Sequence, residues 1–259
     1  MCLIVWAWKQ HPTYKLVLAA NRDEFYARPT EPAHYWPDAP NLLAGRDTRH
    51  RGTWMGITRD GRFAAVTNYR EGFRESSDAP SRGHLTTSFL EGSANPQDYA
   101  RGIAPQASSY NGYNLLLSNF DDMVYTSNRT PEEEVLAPGL YGLSNHLINT
   151  PWPKVSLVKA GLADALESRE PDPDALFDFM LNADRATDEQ LPDTGIPIQI
   201  ERELSSAFIA LENYGTRCST VVLVDYDNQV QYIEKQHAHA GRDAGVAQFS
   251  FQVGLGNRD

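Results

Sequence analysis

Apolar runs joined by short polar turns constrain the fold of this chain more than any other feature of its sequence. LIVWAWK, directly after Cys2, and YKLVLAAN flank a turn at residues 10–13, while CSTVVLVD and QVQYIEKQ meet at Asp227 and Asn228. Each pair is typical of a β-hairpin. Runs such as LVLAA and VVLV are apolar at successive positions, which favours strands buried on both faces. The sequence therefore predicts mainly antiparallel sheets that are covered on both sides.

The segments between these hairpins predict further strands and a group of helices. Hairpins are predicted in GTWMGITRDGRFAAVTNYRE, turning at residues 59–61, and in YNLLLSNF with MVYTSNR, and QFSFQV is a final strand. Helices are predicted in GHLTTSFLEG, in DALFDFMLNA, and after Thr150 and Pro151, where apolar residues follow at helical spacing. Residues 29–44 are predicted to be a Pro-rich loop, and 183–203 an acidic surface loop. Helices between two strand-rich halves indicate layered α and β structure, and we expect residues 1–259 to form one domain.

Composition excludes several classes of protein. The chain has 259 residues, 41% of them hydrophobic, and a net charge of −11, which disfavours nucleic acid and anionic membranes as partners. No apolar stretch approaches the about 18 residues of a membrane span, and no signal peptide is recognisable. Two cysteines, Cys2 and Cys218, form no disulfide framework, and we expect Cys218 to lie in the core. These features favour a cytoplasmic protein.

Cys2 has a chemistry that depends on its place behind the initiator methionine. If Met1 is removed, the thiol lies beside a free α-amine whose reference pKa of about 7.7–8.0 is close to the about 8.5 of a thiol. The neutral amine can then accept the thiol proton, so one residue supplies both nucleophile and base. The simpler interpretation is that Cys2 is a small core hydrophobe.

Polar residues follow several predicted strands and are candidates for the rest of a site. Arg22 and Asp23 come after the second strand, and hairpin pairing would return them to Cys2, where the arginine lowers the thiol pKa and the aspartate holds the ammonium. Asn68 and Asn145 are at the ends of predicted strands and can donate to an oxyanion. Each has a structural alternative: an Arg-Asp pair anchors a loop, and asparagine caps turns.

The same choice between a site role and a structural role applies to Arg217, Glu24 and several aromatic residues. Arg217 can pair a carboxylate bidentately at a site, or form a surface salt bridge. Glu24 either contacts substrate or pairs with Arg28 or Arg46. The aromatic side chains near the polar clusters either line an apolar pocket or belong to the core; they are Tyr26, Trp36, Trp54 and Tyr69.

Five stretches, taken together, carry a resemblance to a known family: LAANRDEFYARP, GTWMGI, TNYRE, YGLSNHLINTPWPK and YGTRCSTVVLVD. They resemble the NRDE family, which includes the transport and Golgi organisation protein 2, over nearly the whole chain. Residues 21–24 are the motif that gives the family its name. A wider similarity runs to the N-terminal nucleophile hydrolases of the penicillin V acylase and bile salt hydrolase group. That similarity implies an α+β fold, a four-layer αββα sandwich of mainly antiparallel sheets.

The resemblance also implies roles for individual residues. Cys2 matches the catalytic nucleophile, and Arg22 and Asp23 match the arginine and aspartate after the second strand. Asn68 and Asn145 correspond to asparagines near the oxyanion, and Arg217 to a late arginine. Among their neighbours, the candidates for substrate contacts are Asn21, Glu24 and Tyr69.

Two functions are compatible with this resemblance. The first is a cysteine N-terminal nucleophile hydrolase that acts on an amide or thioester of an apolar acyl group. The alternative is a non-catalytic binding or trafficking protein for haem, lipid or acyl-CoA, since the family is associated with lipid metabolism and haem movement. The expected partner is thus a small acyl compound, a lipid or haem. We expect no cofactor and no metal, because His237 and His239 have no third ligand to specify one.

Overall fold

Two antiparallel β-sheets form the centre of the molecule, as a computed structural model of the chain shows. The structure describes residues 3–72 and 75–254. The strands within these ranges are β1 (Leu3–Trp8), β2 (Tyr14–Phe25), β3 (Thr30–Trp36), β4 (Ala39–Asp47), β5 (Met55–Thr58), β6 (Phe63–Asn68), β7 (Tyr113–Ser118), β8 (Met123–Ser127), β9 (Glu134–Val135), β10 (Gly139–Leu143), β11 (Tyr214–Asp225), β12 (Gln229–His237) and β13 (Asp243–Gln252).

The first sheet has the order β10-β1-β2-β11-β12-β13, and the second has the order β3-β4-β5-β6-β7-β8-β9. The helices of the described residues are α1 (Gly83–Glu91), α2 (Pro96–Ile103), α3 (Pro153–Ala165), α4 (Pro173–Met180) and α5 (Ile198–Glu203), and the first four lie against the outer faces of the sheets. α1 and α2 pack on the second sheet, and α3 and α4 on the first. This is the predicted four-layer αββα sandwich. No described helix has the length and apolar character that crossing a bilayer requires.

Alternation along the strands divides the apolar residues between two layers of core. In β1, Ile4 and Trp6 face the space between the sheets, whereas Leu3 and Val5 pack against the helices. Both sets are fully buried, as the uninterrupted apolar run predicts. β1 and β2 pair so that Leu3 lies opposite Asn21. The beginning of β1 and the far end of β2 therefore meet at one edge of the sandwich.

Residues 29–44 differ from the sequence prediction, because they form β3 and most of β4 rather than a loop. β3 is an edge strand of its sheet, and an edge position tolerates Pro32, which has no N–H to donate. Prolines in this stretch concealed the strand pattern. The hairpins at residues 59–61 and at Asp227 and Asn228 are confirmed.

Two helix predictions also need correction. The helix predicted to begin at Thr150 and Pro151 begins at Pro153, with Trp152 as its N-cap. Both prolines satisfy the rule that proline favours the first turn, so the local pattern does not distinguish them. The acidic segment 183–203 is not simply a loop, since it contains α5, whose Glu201 is buried.

Candidate functional site

Arg22 lies inside β2, because this strand continues to Phe25 instead of ending at Asn21 as the sequence suggested. β11 pairs with β2 along this extension and keeps it extended. The Arg22 guanidinium stacks on Trp54 at 4.1 Å from the ring centre and donates to Thr30 Oγ1 at 3.2 Å. Arg22 is 4% exposed. A positive charge is therefore held at low exposure, where it influences neighbouring groups strongly.

Asp23 follows on the strand, and its side chain projects to the other face because neighbouring strand residues alternate. Its Oδ1 accepts a hydrogen bond from Thr216 Oγ1 at 2.7 Å. Thr216 lies opposite Asp23 in β11, and a register shift follows it, between Thr216 and Cys218. Arg217 occupies this bulge.

The Arg217 guanidinium binds backbone carbonyls, donating to Phe25 O at 2.9 Å and to Arg28 O at 3.0 Å. These contacts anchor the turn after β2, and they differ from the bidentate carboxylate pair predicted from sequence. Burial lowers the pKa of Arg217, and the positive charge of Arg22 lowers it further. Two arginines thus lie close together at the end of β2.

Asn68 and Asn145 come from different sheets and meet in space. Asn68 ends β6, and Asn145 lies two residues after β10. The Asn145 amide Nδ2 donates to Asn68 O at 3.0 Å. Asn145 Oδ1 accepts from Arg70 Nη2 at 3.2 Å, and Asn145 O accepts from Arg70 N at 2.8 Å. These bonds fix the orientation of the Asn145 carboxamide.

Two adjacent cavities bring most of these residues together. Arg22, Asp23 and Asn68 line a cavity of about 350 Å³ that also includes Glu24 and Trp54. A smaller cavity of about 190 Å³ is lined by Asn68, Asn145 and Tyr69, among others. Asn68 therefore lies between the two. Polar and charged side chains form most of the larger cavity's lining.

Cys2 lies outside the described residues, so the structure leaves its predicted role untested. The other cysteine, Cys218, is in the core between the sheets and is 3% exposed, which confirms that prediction. Burial raises the pKa of the Cys218 thiol, and the nearby Glu234 carboxylate adds to this effect. Cys218 is therefore held as an unreactive thiol.

Two of the three candidates for substrate contacts, Asn21 and Glu24, occupy different environments. Asn21 is fully buried; its amide donates to Met180 O and Ala207 O, both at 2.8 Å, and its Oδ1 accepts from Ser219. Glu24 lines the larger cavity and accepts from Phe25 N at 2.9 Å.

The alternative in which Glu24 pairs with Arg28 or Arg46 is wrong, because both arginines pair with other carboxylates. Arg28 pairs with Asp47 at 2.7 Å and Arg46 with Asp38 at 2.6 Å. Of the aromatic residues, Trp54 and Tyr69 line the cavities, whereas Trp36 is in the core behind α1.

Tyr69 is held by a histidine that sequence reasoning did not single out. The Tyr69 hydroxyl lies 2.8 Å from His146 Nε2, and His146 Nδ1 lies 2.9 Å from Thr150 Oγ1. Thr150 Oγ1 donates to Leu147 O, so it accepts from Nδ1, and Nε2 is left to accept from Tyr69. Burial lowers the pKa of His146. His146 directly follows Asn145 in the sequence, which is the signal that identifies it.

Arg70 and Glu201 are the other residues that sequence reasoning missed. Arg70 Nη1 pairs with Glu201 Oε2 at 2.9 Å, and Glu201 is 2% exposed. Arg70 is part of the stretch TNYRE, but Glu201 lies in residues 183–203, for which the sequence predicts a surface loop. The ion pair joins α5 to the segment after β6, a contact that no local pattern predicts.

A buried cation, a carboxylate and primary amides surround one pair of cavities beside the beginning of β1. Amide N–H groups stabilise an oxyanion, and a fixed cation favours a thiolate.

The αββα sandwich has the fold of the N-terminal nucleophile hydrolases. A solved penicillin V acylase from Agrobacterium tumefaciens is similar, with a TM-score of 0.51 at 13% sequence identity, covering 97% of this chain and 86% of the acylase. At that identity the likeness shows the fold alone.

The sequence places the chain within a particular family of that fold. It belongs to the Transport and Golgi organisation 2 family, which it matches over residues 1–239. The Transport and Golgi organization protein 2 homolog of Bos taurus is 37% identical over 256 residues, and that of Homo sapiens is 36% identical. Both alignments cover 91% of this chain and 92% of the relative. The family resemblance read from the five stretches is thus confirmed.

Proposed function

We propose that this protein is a cysteine hydrolase in which Cys2, freed by loss of Met1, attacks the carbonyl carbon of an amide or thioester. The observation that carries the proposal is that Arg22, Asp23 and Asn68 line one cavity. Leu3, the residue after Cys2, lies opposite Asn21, the residue before Arg22. Chain connectivity therefore supports a nucleophile close to this cavity.

In this mechanism the neutral α-amine of Cys2 accepts the thiol proton, and the thiolate forms a bond to the carbonyl carbon. The carbonyl electron pair moves onto oxygen, and the resulting oxyanion accepts hydrogen bonds from the amides of Asn68 or Asn145. The tetrahedral intermediate collapses, and the leaving amine or thiol departs with the proton held by the ammonium. Water then attacks the acyl-cysteine, releasing the acid and restoring the thiol.

The surrounding residues have distinct tasks. The Arg22 charge, shielded on Trp54, stabilises the thiolate. Asp23 holds the ammonium in place, and its own position is fixed by Thr216. Arg217 steadies the backbone after β2 through the carbonyls of Phe25 and Arg28.

The lining of the larger cavity bears on the substrate. Most of its residues are polar or charged, and Trp54 is its only aromatic side chain among the described residues. This supports a substrate whose polar leaving portion occupies the cavity. The apolar acyl group expected from the resemblance then extends away from it.

A labelling experiment tests the proposal. The untagged protein is incubated with a medium-chain acyl thioester of N-acetylcysteamine and, separately, with the nitroanilide of the same acid. Its peptides are then analysed by mass spectrometry. We expect an N-terminal mass that lacks Met1, an acyl group on Cys2, and release of thiol or nitroaniline. Cys2→Ala should abolish the acylation and the release of thiol or nitroaniline. Cys218→Ala, which removes only the buried thiol, should retain both reactions.

Retention of Met1, or an unacylated Cys2 with both probes, would contradict the hydrolase. The binding function would then be tested by titrating the same Cys2→Ala variant with haem and with acyl-CoA. If the variant binds haem or acyl-CoA with the same affinity as the wild-type protein, the site would be assigned to ligand binding.

A further inference from the structure

A chain of polar contacts connects a buried carboxylate to one of the candidate oxyanion donors. Glu201 Oε2 accepts from Arg70 Nη1 at 2.9 Å, and Arg70 Nη2 donates to Asn145 Oδ1 at 3.2 Å. Glu201 Oε1 accepts from the backbone N–H of Thr194 at 3.1 Å and from the Thr194 hydroxyl. Arg70 is therefore fixed at one end by a carboxylate that is itself fully occupied.

The same guanidinium determines which way the Asn145 amide faces. Its positive charge selects the oxygen, so the nitrogen is directed towards Asn68 O, to which it donates at 3.0 Å. One Nδ2–H is used there, and the second has no acceptor among the described residues. Asn145 lines the smaller cavity, so this second N–H is available to a group bound there.

The contacts around Asn145 also join the two sheets. Thr67 Oγ1 donates to Ser144 O at 2.9 Å, and Asn114 Nδ2 donates to His146 O at 2.9 Å. These bonds, and the one from Arg70 N to Asn145 O, hold the backbone around Asn145, so the Arg70 guanidinium acts on the side-chain amide alone. Such a role requires a planar group with several donors, as arginine has and lysine lacks.

From this geometry we infer that Arg70 and Glu201 are positioning residues, which hold Asn145 with its free N–H directed at the oxyanion of the reaction. The inference rests on the proposed function. It extends the site to α5, a segment that contributes no residue to the proposed chemistry itself.

Comparing two reactions of Cys2 tests this inference. Acylation by the N-acetylcysteamine thioester passes through an oxyanion, whereas alkylation by iodoacetamide does not. The ratio of the two rate constants therefore reports oxyanion stabilisation separately from thiol reactivity. We expect Arg70→Lys to lower the ratio about 10–100-fold, because a small misplacement of a donor is costly and a lost donor costs about 100–1000-fold.

Two further variants make the test specific. Glu201→Gln, which keeps the size of the side chain, should lower the ratio in the same direction even if Arg70→Lys folds poorly. Arg202→Lys is the matched control, since Arg202 lies on the same helix and pairs with exposed Asp188 at 2.7 Å. It should leave the ratio unchanged. In an Asn145→Ala background, Arg70→Lys should have no additional effect, because both act through one amide.

The outcomes separate this inference from the proposed function. If wild-type Cys2 is alkylated but never acylated, the hydrolase proposal fails and this inference fails with it. If wild-type protein is acylated while Arg70→Lys and Glu201→Gln leave the ratio unchanged, only the positioning role is overturned. Equal losses in both reactions would also overturn it, since they would indicate general damage to the site.

Discussion

At the scale of single residues, the side chains of Asn21–Glu24 project to two different faces of the first sheet. Arg22 faces the space between the sheets and rests on Trp54, whereas Asn21 faces the helices. Met180 is the last residue of α4, and its carbonyl has no partner within the helix, so the Asn21 amide satisfies it. The motif therefore combines a candidate site with an anchor for the outer layer.

Asn21→Ala should destabilise the protein by about 3 kcal/mol, since it leaves the carbonyls of Met180 and Ala207 without their buried donor. Urea unfolding measures this loss. Asn41→Ala, at an exposed position of β4, is the control and should change stability by about 0.5 kcal/mol or less. Equal effects of the two substitutions would show that Asn21 is not an anchor.

At the scale of secondary-structure elements, β4 supports the site through a glycine. A Cβ at Gly45 would lie 2.3 Å from two atoms of the Trp54 ring and 3.3 Å from Glu31 O. The indole occupies the space that any larger residue would fill. Because Arg22 stacks on that indole, a larger residue at position 45 would displace the ring and with it the Arg22 guanidinium.

Gly45→Ala should therefore destabilise the protein by about 1–3 kcal/mol through overpacking. Gly102→Ala is the matched control, because Gly102 is at an exposed position of α2 and a Cβ there meets no atom within 4 Å. Alanine in a helix should stabilise by about 0.5–1 kcal/mol. Thermal melts of both variants give the comparison, and opposite signs are expected. A neutral Gly45→Ala would mean that Trp54 repacks without cost.

At the scale of the whole molecule, the layers on both sides of the second sheet bury tyrosines whose ionisation is linked to folding. Burial raises the pKa of each of three tyrosines from 10.0 to about 12: Tyr99, Tyr113 and Tyr125. Tyr125 also donates to Asn114, which bonds the other sheet through His146 O. Neutral phenols are thus part of the native packing on both sides of the second sheet.

The sign of the resulting pH dependence follows from proton binding. Between pH 10 and about 12 the unfolded chain has released these phenolic protons while the folded chain retains them, so stability falls as pH rises. The contribution is fully present below pH 10 and is lost as pH rises through about 12. Urea unfolding at increasing pH should show this decline, and Tyr113→Phe should make it shallower. An unchanged slope in that variant would contradict the prediction.

Local patterns predicted much of this architecture. The hairpins at each end and the helix in DALFDFMLNA follow from turn residues and periodicity, which are properties of neighbours in sequence. The β3 strand was missed because proline obscures a strand unless its edge position is known. The extension of β2 through Arg22 and Asp23 was missed because its pairing partner is β11, almost 200 residues away by the register of Asp23 with Thr216.

Motifs and apolar runs in the sequence are enough to predict the family, the strands and the polar residues that follow them. Which of those residues meet in space depends on the tertiary structure. Asn68 and Asn145 come together because the ends of β6 and β10, in different sheets, are joined by hydrogen bonds. Arg70 is held in place by the buried carboxylate of Glu201, which lies on α5. Such contacts depend on sheet order and layer packing, which are set by the burial of the whole chain and not by any short stretch of it.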